Sequence, residues 1–266
     1  MPKVRLDLLL VERGLVESRS LAQRLVMAGQ VRVNQQLAQK PGDMVDPAAM
    51  LEIDQGPAFV SRGGEKLAGA FETFDLDVND LICADVGAST GGFTDCLLQN
   101  GASKVYAIDV GNGILHWKLR QDERVVVMEG TNARNVQVLP EPVSFVVVDA
   151  SFISLKVLLP VILNWFPKEG GSLVALIKPQ FEAGRKIVTK GRGVVRDQAV
   201  HQKVIEDILI FARSTGYRTL GLARSPITGP KGNVEFLAWL GWAQGLEVQS
   251  KGLVGPMFPD LPKPSV

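Results

Sequence analysis

From about residue 67 onward, short apolar runs alternate with longer amphipathic stretches. Near-continuous apolar runs are typical of strands buried on both faces of a parallel sheet, and the stretches between them predict the covering helices. The predicted strands cover residues 81–86, 104–109, 125–129, 144–149, 172–178, 218–224 and 234–240. No helix-length stretch separates the last two, which is typical of an antiparallel hairpin at a sheet edge. The pattern therefore predicts an α/β fold with a mostly parallel, doubly wound, seven-stranded sheet.

The first 60 or so residues follow a different pattern, with two short amphipathic helices followed by short alternating strands. The first predicted helix ends near Gly14, and the second begins at Ser18 or Ser20 and ends at Gly29, because hydroxyls cap helix N-termini and glycine favours C-termini. The predicted organisation is an N-terminal module at 1–58, a glycine-rich linker at 59–66, the α/β domain at 67–243 and a proline-rich flexible tail at 244–266.

Composition and charge say little about the whole chain but distinguish its first 40 residues. A formal net charge of +1 on 266 residues, with 46% hydrophobic residues, is ordinary for a globular protein. Residues 1–40 contain seven lysines and arginines against three acidic residues, which predicts a local basic face. Two cysteines and two histidines, all isolated, give no metal-ligand pattern. Without a signal-like or membrane-spanning apolar run, we expect a cytoplasmic protein with no metal site and no membrane partner.

A glycine-rich turn after the first predicted strand is the strongest candidate for a binding site. It reads Asp85-Val86-Gly87-Ala88-Ser89-Thr90-Gly91-Gly92-Phe93. Glycines let the backbone approach a ligand closely, and the spacing matches neither the dinucleotide fingerprint nor the phosphate-binding P-loop. The carboxylate of Asp85 would repel a pyrophosphate and attract a cationic ligand such as S-adenosylmethionine. A tight strand-to-helix connection without a ligand is the alternative, but the acid favours a cofactor site.

Polar residues also follow other predicted strands, whose carboxyl ends form the ligand-binding edge of such a sheet. Asp109 is placed to bind ribose hydroxyls, and Thr131 and Asn132 to flank an adenine. Asp149 follows three valines, and it either faces this edge or caps the next helix. These positions extend the predicted cofactor site beyond the glycine turn.

Two charged residues stand in otherwise apolar strands. Lys178 ends the predicted strand 172–178, and Glu235 lies inside the predicted strand 234–240. Lysine and glutamate are rarely buried unless they are paired. We therefore expect Lys178, Glu235 and Asp149 to meet in one ionic cluster.

A basic segment at residues 184–196 carries five lysines and arginines among glycines. It predicts a mobile loop that can close over a polyanionic strand, with phosphate contacts by Arg185, Lys190 and Arg192. An exposed flexible loop with incidental charge is the alternative.

The N-terminal module resembles a known RNA-binding motif. Its residues 5–34, RLDLLLVERGLVESRSLAQRLVMAGQVRVN, resemble the alpha-L motif of a small-subunit ribosomal protein, pseudouridine synthases and tyrosyl-tRNA synthetases. The resemblance implies phosphate contacts by Arg5, Arg19, Arg24 and Arg32, which would read RNA shape rather than sequence. A merely solvated helix face is the alternative.

The rest of the chain carries motifs that resemble those of the TlyA family, in the same order. They are SRGGEKL, DVGASTGGFTDCL, VDASFISL, IKPQFE and SPITGPKGNVEF. TlyA proteins are bacterial ribosomal-RNA ribose 2′-O-methyltransferases, historically called haemolysins, with a catalytic domain similar to FtsJ enzymes. The resemblance spans about residues 3–242. It implies a Rossmann-like, S-adenosylmethionine-dependent domain that methylates a cytidine ribose in ribosomal RNA, free or in a ribosomal subunit, with no DNA partner.

The same resemblance implies the functional residues. The catalytic tetrad corresponds to Lys66, Asp149, Lys178 and Glu235. The cofactor-binding residues correspond to Asp85, Gly87, Ser89, Thr90, Gly91, Gly92, Phe93, Asp109 and Asn132. Lys178 is the expected base, next to the cationic Lys66, and Arg62 joins the RNA contacts. Residues 111–115 (GNGIL) depart from the family pattern, in which an aromatic residue and a glutamine are expected, so cofactor contacts around Asn112 are not carried over.

Two alternative functions stay open. A base methyltransferase of the same fold would usually carry a nucleophilic cysteine motif or an NPPY-like loop, and neither is present. A non-enzymatic RNA-binding protein or a haemolysin-like factor is the other alternative, although lysis requires an amphipathic or spanning segment that the sequence lacks.

Overall fold

The computed structural model describes residues 2–54, 56–229 and 231–243, with the side chains of Arg185 and Lys190 left aside. The predicted tail at 244–266 lies outside the described residues. The chain divides into two compact units, one before and one after the peptide bond between Ala58 and Phe59.

The N-terminal unit contains the two predicted helices and a set of short strands. Its elements are β1 (Val4–Arg5), α1 (Leu6–Glu12), α2 (Arg19–Met27), β2 (Val31–Val33), β3 (Gln36–Leu37), β4 (Met44–Val45) and β5 (Leu51–Ile53). Strand β2 pairs antiparallel with β3 and β5, and β1 pairs antiparallel with β4. Ser18 caps α2, because its Oγ accepts a hydrogen bond from the Leu21 N–H at 3.3 Å. The small apolar core includes Leu6, Leu10 and Val26.

The second unit is the predicted α/β domain. Its strands are β6 (Ile82–Val86), β7 (Lys104–Ile108), β8 (Val125–Met128), β9 (Phe145–Val148), β10 (Gly171–Ile177), β11 (Arg218–Arg224) and β12 (Phe236–Trp242). Its helices are α3 (Gly63–Thr73), α4 (Gly92–Gln99), α5 (Trp117–Arg120), α6 (Leu155–Ile162), α7 (Pro179–Glu182), α8 (Arg185–Lys190) and α9 (Gln198–Ser214). The seven-stranded sheet has the order β11-β12-β10-β9-β6-β7-β8. Only the pairs made by β12 are antiparallel, which confirms the predicted edge hairpin.

Helices cover both faces of this sheet, which explains the near-continuous apolar strands. Within β9, Val146 and Val148 pack into one core cluster together with Leu158 of α6. Val147, with the opposite side-chain direction, packs into a second cluster together with Leu97 of α4. Asp85 on β6 points toward this second side, where it meets α4.

The segment that we expected to be a linker, residues 59–66, is partly helical, because α3 begins at Gly63. The first turns of α3 and α4 cross at very close range. A Cβ placed on Gly92 would lie 2.4 Å from Ser61 Oγ and 2.6 Å from Gly64 N. The glycines therefore serve helix packing rather than flexibility, and this packing fixes the helix that carries Lys66.

The basic segment, predicted as a loop, also contains a helix. Helix α8 occupies Arg185–Lys190, after Gly184 at φ 81°. The glycines on either side, at 184 and 191, made this stretch read as a loop, but they bound the helix rather than interrupt it.

Candidate active site

Four charged side chains lie in one row at the carboxyl edge of the sheet. Lys66 comes from α3, Asp149 follows β9, Lys178 follows β10, and Glu235 immediately precedes the antiparallel strand β12. Lys66 Nζ lies 2.7 Å from Glu235 Oε2 and 3.5 Å from Asp149 Oδ2. Lys178 Nζ lies 2.6 Å from Asp149 Oδ1. Charges of opposite sign therefore alternate along the row, and Asp149 is shared by both lysines.

The two lysines and the glutamate are buried, with exposures of 7%, 7% and 1%. Further hydrogen bonds fix their positions. Lys178 Nζ donates to Ser151 Oγ at 3.0 Å and to the Asp149 carbonyl at 3.2 Å. Gln180 Nε2 donates to Glu235 Oε1 at 3.1 Å. Buried charges are tolerated when they are paired and hydrogen-bonded in this way, so the row is a preorganised ionic cluster.

A cleft runs along the same edge and consists of two adjoining cavities. The first, of about 490 Å³, contains Arg62 and Lys66 in its lining. The second, of about 300 Å³, contains Asp109 and Asn132. Three lining residues are common to both cavities, namely Gly87, Ser89 and Asp149. The glycine turn, Lys66 and Asp149 therefore line two adjoining cavities whose volumes suit parts of a nucleotide-like ligand.

The glycine turn owes its shape to residues with positive φ. Gly87 has φ 86°, and a Cβ there would lie 2.9 Å from the Asp149 carbonyl oxygen. Ser89 has φ 50°, and its N–H donates to Asp109 Oδ2 at 2.9 Å. Thr90, Gly92 and Phe93 line the larger cavity.

Gly91 has a different task from the one we expected. It has φ 96° and lies among the residues that line neither described cavity. A Cβ on Gly91 would lie 2.2 Å from Leu119 Cδ1. The absence of a side chain here permits packing behind the turn rather than close approach of a ligand.

Asp85 also differs from the expectation of a direct ligand contact. Its side chain is fully buried beneath the turn, and it lines neither cavity. Oδ2 accepts a hydrogen bond from Thr94 Oγ1 at 2.7 Å, whereas Oδ1 has no hydrogen-bond partner in the described part of the chain. Burial raises the pKa of Asp85 to about 7, and the negative charges of Asp149 and Asp109 act in the same direction. Any influence on a ligand is therefore electrostatic and acts from below the turn.

Glu129, which follows β8, was missed by the sequence analysis. Its carboxylate accepts the backbone N–H groups of Gly113, Ile114 and Leu115 at 2.9–3.0 Å and pairs with Arg120 at 2.8 Å. These hydrogen bonds, led by the one from Leu115, lower the pKa of Glu129 to about 2. Glu129 thereby shapes the 111–115 segment, where the sequence departs from the family pattern. An acid at a strand end was the same signal that singled out Asp109.

An aromatic pair near Lys178 was also missed. Phe152 is 91% exposed, lines the smaller cavity and has φ 64°, which is uncommon for a bulky residue. Its ring centroid lies 4.9 Å from that of Phe181, over which Lys178 Nζ is placed at 5.7 Å. Strained backbone of this kind often occurs at functional sites. The strain at Phe152 was not predicted, because the motif VDASFISL gives no indication of the backbone conformation of its phenylalanine.

The predicted RNA-binding residues of the second unit lie at or near the cleft to different extents. Arg62 lines the larger cavity, and its Nη2 donates to the Thr228 carbonyl at 3.3 Å. Arg192 is exposed and has φ 52°. The side chains of Arg185 and Lys190 are outside the described part of the structure.

In the N-terminal unit, two of the four predicted phosphate contacts share a buried acid. Asp7 accepts hydrogen bonds from Arg5 Nε and Nη2 at 3.0 and 2.9 Å, and from Arg19 Nε at 3.0 Å. The hydrogen bonds from Arg5 hold the pKa of Asp7 well below its usual range. Arg24 and Arg32 are exposed. From the sequence, Asp7 counted only as an offsetting charge, and its orientation of these arginines was not predicted.

Comparisons with known proteins agree with this architecture. Residues 59–242 match the FtsJ-like methyltransferase family, and residues 4–51 match the S4 domain. The chain is 50% identical to "Putative rRNA methyltransferase YqxC" of Bacillus subtilis, over 93% of this chain and 89% of that protein. It is 42% identical to "16S/23S rRNA (cytidine-2'-O)-methyltransferase TlyA" of Mycobacterium tuberculosis, over 94% of each chain. The chain belongs to the TlyA family of FtsJ-like methyltransferases.

A solved structure supports the same assignment. The "Putative hemolysin from Streptococcus thermophilus" is 46% identical and has a TM-score of 0.69, covering 94% of this chain and 92% of that one. Family membership confirms the predicted fold, the methyltransferase class and S-adenosylmethionine as the methyl donor. Over the described ranges, none of the helices has the length and apolar character needed to cross a bilayer. The same ranges show no cluster of three or more His, Cys, Asp or Glu side chains suited to a metal ion.

Proposed function

We propose that this protein transfers a methyl group from S-adenosylmethionine to the ribose 2′-hydroxyl of a cytidine in ribosomal RNA. The observation that carries the proposal is the alternating row of Lys66, Asp149, Lys178 and Glu235 beside the glycine turn. The name of the Mycobacterium tuberculosis relative supports the choice of cytidine and of the 2′-hydroxyl. Free ribosomal RNA and an assembled ribosomal subunit are the two candidate forms of the substrate.

The cleft fits the methyl donor. The smaller cavity offers the Asp109 carboxylate for ribose hydroxyls and Asn132 beside the apolar Ile108 and Ile114 for an adenine. Gly87 leaves room where a Cβ would meet the neighbouring strand end. When bound, S-adenosylmethionine supplies a methyl group on a positively charged sulfur, which an oxygen can attack in line.

The residues of the row have separate tasks in this proposal. Lys178 acts here as the neutral amine, which has given up one proton to solvent: its Nζ would accept the proton of the 2′-hydroxyl as that oxygen takes the methyl group and the methyl–sulfur bond breaks. Asp149 orients Lys178, since it lies 2.6 Å from the amine. Lys66 is fixed by Glu235 at 2.7 Å and keeps its positive charge beside the larger cavity, where it can hold the RNA backbone. Positioning of this kind can supply a large part of the barrier reduction.

The substrate would be held by arginines outside the row. Arg62 lines the larger cavity, whereas Arg24 and Arg32 are exposed on the N-terminal unit. Each phosphate contact releases counterions, so binding should weaken as salt concentration increases. The modest net charge of +1 predicts a modest slope that depends on these local groups.

The proposal is tested by identifying the methylated atom. Radiolabelled methyl donor is incubated with free ribosomal RNA and with purified small and large subunits, and the RNA is digested by alkali. A 2′-O-methyl group blocks cleavage at the next phosphodiester, so the label should be recovered in an alkali-resistant dinucleotide that begins with cytidine. A label on a base, or no label with any of these substrates, would overturn the proposal.

Lys178→Ala separates proton acceptance from ligand binding. Removal of a general base usually costs a factor of about 10²–10⁴, so single-turnover methyl transfer should decrease by about that amount. Affinity for the methyl donor, measured by calorimetry, should stay within about threefold, because Lys178 is absent from the lining of both described cavities. Loss of donor binding instead of turnover would contradict the role as a base.

A further inference from the structure

Asn233 connects the basic segment with Glu235, which immediately precedes β12. Its side chain is buried, with 4% exposure, and it makes two hydrogen bonds. Oδ1 accepts the Val195 N–H at 3.0 Å, and Nδ2 donates to the Gly193 carbonyl at 3.0 Å. Both backbone groups belong to the basic segment, residues 184–196, and Glu235 is only two residues beyond Asn233.

A second buried side chain, that of His201, contacts the residue that Asn233 binds, Val195. His201 on α9 is 6% exposed, and its Nε2 lies 2.9 Å from the Val195 carbonyl. The ring packs edge-on against Phe236, with centroids 5.6 Å apart. Val195 is thus held at its N–H by Asn233 and at its carbonyl by His201. Val195 is itself buried, with 4% exposure, so these two side chains satisfy both of its backbone groups and fix the end of the basic segment inside the fold.

The other end of the basic segment is also attached near the ionic row. Gln180 donates to Glu235, and Glu182 accepts the Leu155 N–H at 2.8 Å and the Ser154 hydroxyl at 2.6 Å. Glu182 therefore caps α6 just before the basic segment begins. Both ends of the basic segment are therefore attached close to Glu235, the first through Gln180 and the second through Asn233.

The chemistry of the segment indicates a polyanionic backbone as its ligand. Arg192 and Arg196 are exposed, and Lys231 of the adjacent turn is exposed as well. A Cβ built on Gly193 would lie 3.8 Å from Lys231 Nζ, so the two basic stretches adjoin at the anchored residue. Arginine and lysine on a loop of this type suit phosphates spaced along a nucleic-acid strand.

We propose that Asn233 is a positioning residue that couples RNA held by the basic segment to the catalytic row. The inference rests on the proposed function, since it assumes that RNA is the substrate. In this view the two hydrogen bonds of Asn233 set the place of Arg192 and Arg196 relative to Glu235. Loss of the anchor leaves the methyl-donor cleft intact but misplaces the RNA strand.

The first experiment compares Asn233→Ala with Asn100→Ala in methyl transfer. Asn100 is an exposed control, whose amide also donates to a backbone carbonyl, that of Cys96 at 2.8 Å, at the end of α4. We expect Asn233→Ala to raise KM for RNA at least tenfold and to lower kcat. Donor affinity should remain within twofold, and Asn100→Ala should change neither parameter by more than twofold. Equal KM values for RNA in both variants would overturn the inference.

The second experiment measures the anchor directly and does not require methyl transfer. Trypsin cuts after arginine, and the Arg192–Gly193 bond lies beside the carbonyl that Asn233 holds. Asn233→Ala should accelerate cleavage there at least tenfold relative to Asn100→Ala, and RNA should slow cleavage in the unmodified protein. Unchanged cleavage would refute the anchor, and accelerated cleavage with an unchanged KM for RNA would refute the coupling. If the unmodified protein methylates no RNA, the proposed function fails, while the cleavage rates still decide whether the anchor exists.

His201 provides a conservative test of the same anchor. Glutamine places an N–H donor near the position of the imidazole Nε2, whereas leucine removes the donor. His201→Gln should therefore retain a KM for RNA within threefold of the unmodified protein, and His201→Leu should reproduce part of the Asn233→Ala defect. Equal defects in both variants would show that packing, rather than the hydrogen bond to Val195, controls the segment.

Discussion

Each compact unit contains one carboxylate shared by two basic side chains, but the burial is reversed. In the N-terminal unit, the side chain of Asp7 is fully buried, and those of Arg5 and Arg19 are 41% and 50% exposed. In the second unit, Lys66 and Lys178 are only 9% and 8% exposed at their side chains, while Asp149 is 18% exposed. The first arrangement presents positive charge to solvent, and the second encloses it beside a cleft.

The difference in residue type agrees with the difference in burial. A guanidinium stays protonated under all ordinary conditions, whereas an amine can exchange its proton when its surroundings demand it. Arginines on a buried acid are therefore suited to hold phosphates with a fixed charge. Lysines on a shared carboxylate are suited to a reaction in which a proton moves.

The most direct test of this comparison replaces the lysine of one arrangement by arginine and the arginine of the other by lysine. Lys178→Arg keeps the charge but removes the group that can accept a proton, so methyl transfer should decrease by about 10²–10⁴. Arg19→Lys keeps the positive charge on a half-exposed side chain, so RNA affinity should change by less than about threefold. Single-turnover methyl transfer and RNA titrations measure the two effects. A Lys178→Arg variant with a tenth or more of the original rate would mean that Lys178 contributes charge alone.

A smaller effect is expected from Asp7→Asn, which tests whether the buried acid organises the first arrangement. The change weakens charge-assisted hydrogen bonds, which typically contribute about 1.5–3 kcal/mol each, but half-exposed arginines regain water. We expect the free energy of unfolding of the N-terminal unit to decrease by about 2 kcal/mol, observed as faster hydrogen exchange of the α1 amides. Asp46→Asn is the control, because Asp46 is an exposed acid whose Oδ1 accepts only the nearby Ala48 N–H.

The pH dependence of Asp7→Asn gives an independent check. The pKa of Asp7 is lowered in the folded state, so its contribution is complete above about pH 4 and is lost as the pH falls below that value. The variant and the unmodified protein should therefore differ at pH 7 and converge at low pH. A difference that persists unchanged at pH 2 would mean that packing, and not the carboxylate charge, stabilises α1.

Most of the sheet could be predicted because its signal is local. A strand buried on both faces must be apolar over its whole length, and the predicted strands lie within two residues of the observed ones. The charges of Lys178 and Glu235 were also locally visible, as exceptions in apolar strands. Their meeting with Asp149 required only that strands share an edge, while Lys66 entered through the family resemblance alone.

Side-chain direction and close approach were not predictable in the same way. A glycine indicates that a side chain is absent but not what occupies its place, so Gly91 was assigned to the ligand and Gly63 to a linker. Likewise, an acid at a strand end does not reveal whether it faces a cleft, as Asp109 does, or lies beneath the turn, as Asp85 does. These questions depend on neighbours that are distant in sequence.

Asp85 adds a contrasting case to the comparison, because within the described residues the side chain that donates to this buried carboxylate is that of Thr94 rather than a cation. Between about pH 4 and 7 the unfolded chain ionises Asp85 while the folded protein does not, which lowers the free energy of unfolding. In the folded protein, with a pKa of about 7, Asp85 becomes negative between about pH 6 and 8, so a cation above the turn should bind more tightly over that range. The sulfonium of S-adenosylmethionine carries that charge, whereas S-adenosylhomocysteine lacks it and shares the same amino group. The ratio of their affinities should therefore increase roughly threefold between pH 6 and 8, and Asp85→Asn should remove the increase. Calorimetric titrations of both ligands at the two pH values measure this ratio. An increase that survives Asp85→Asn would assign the dependence to another group and leave Asp85 with a structural role beneath the glycine turn.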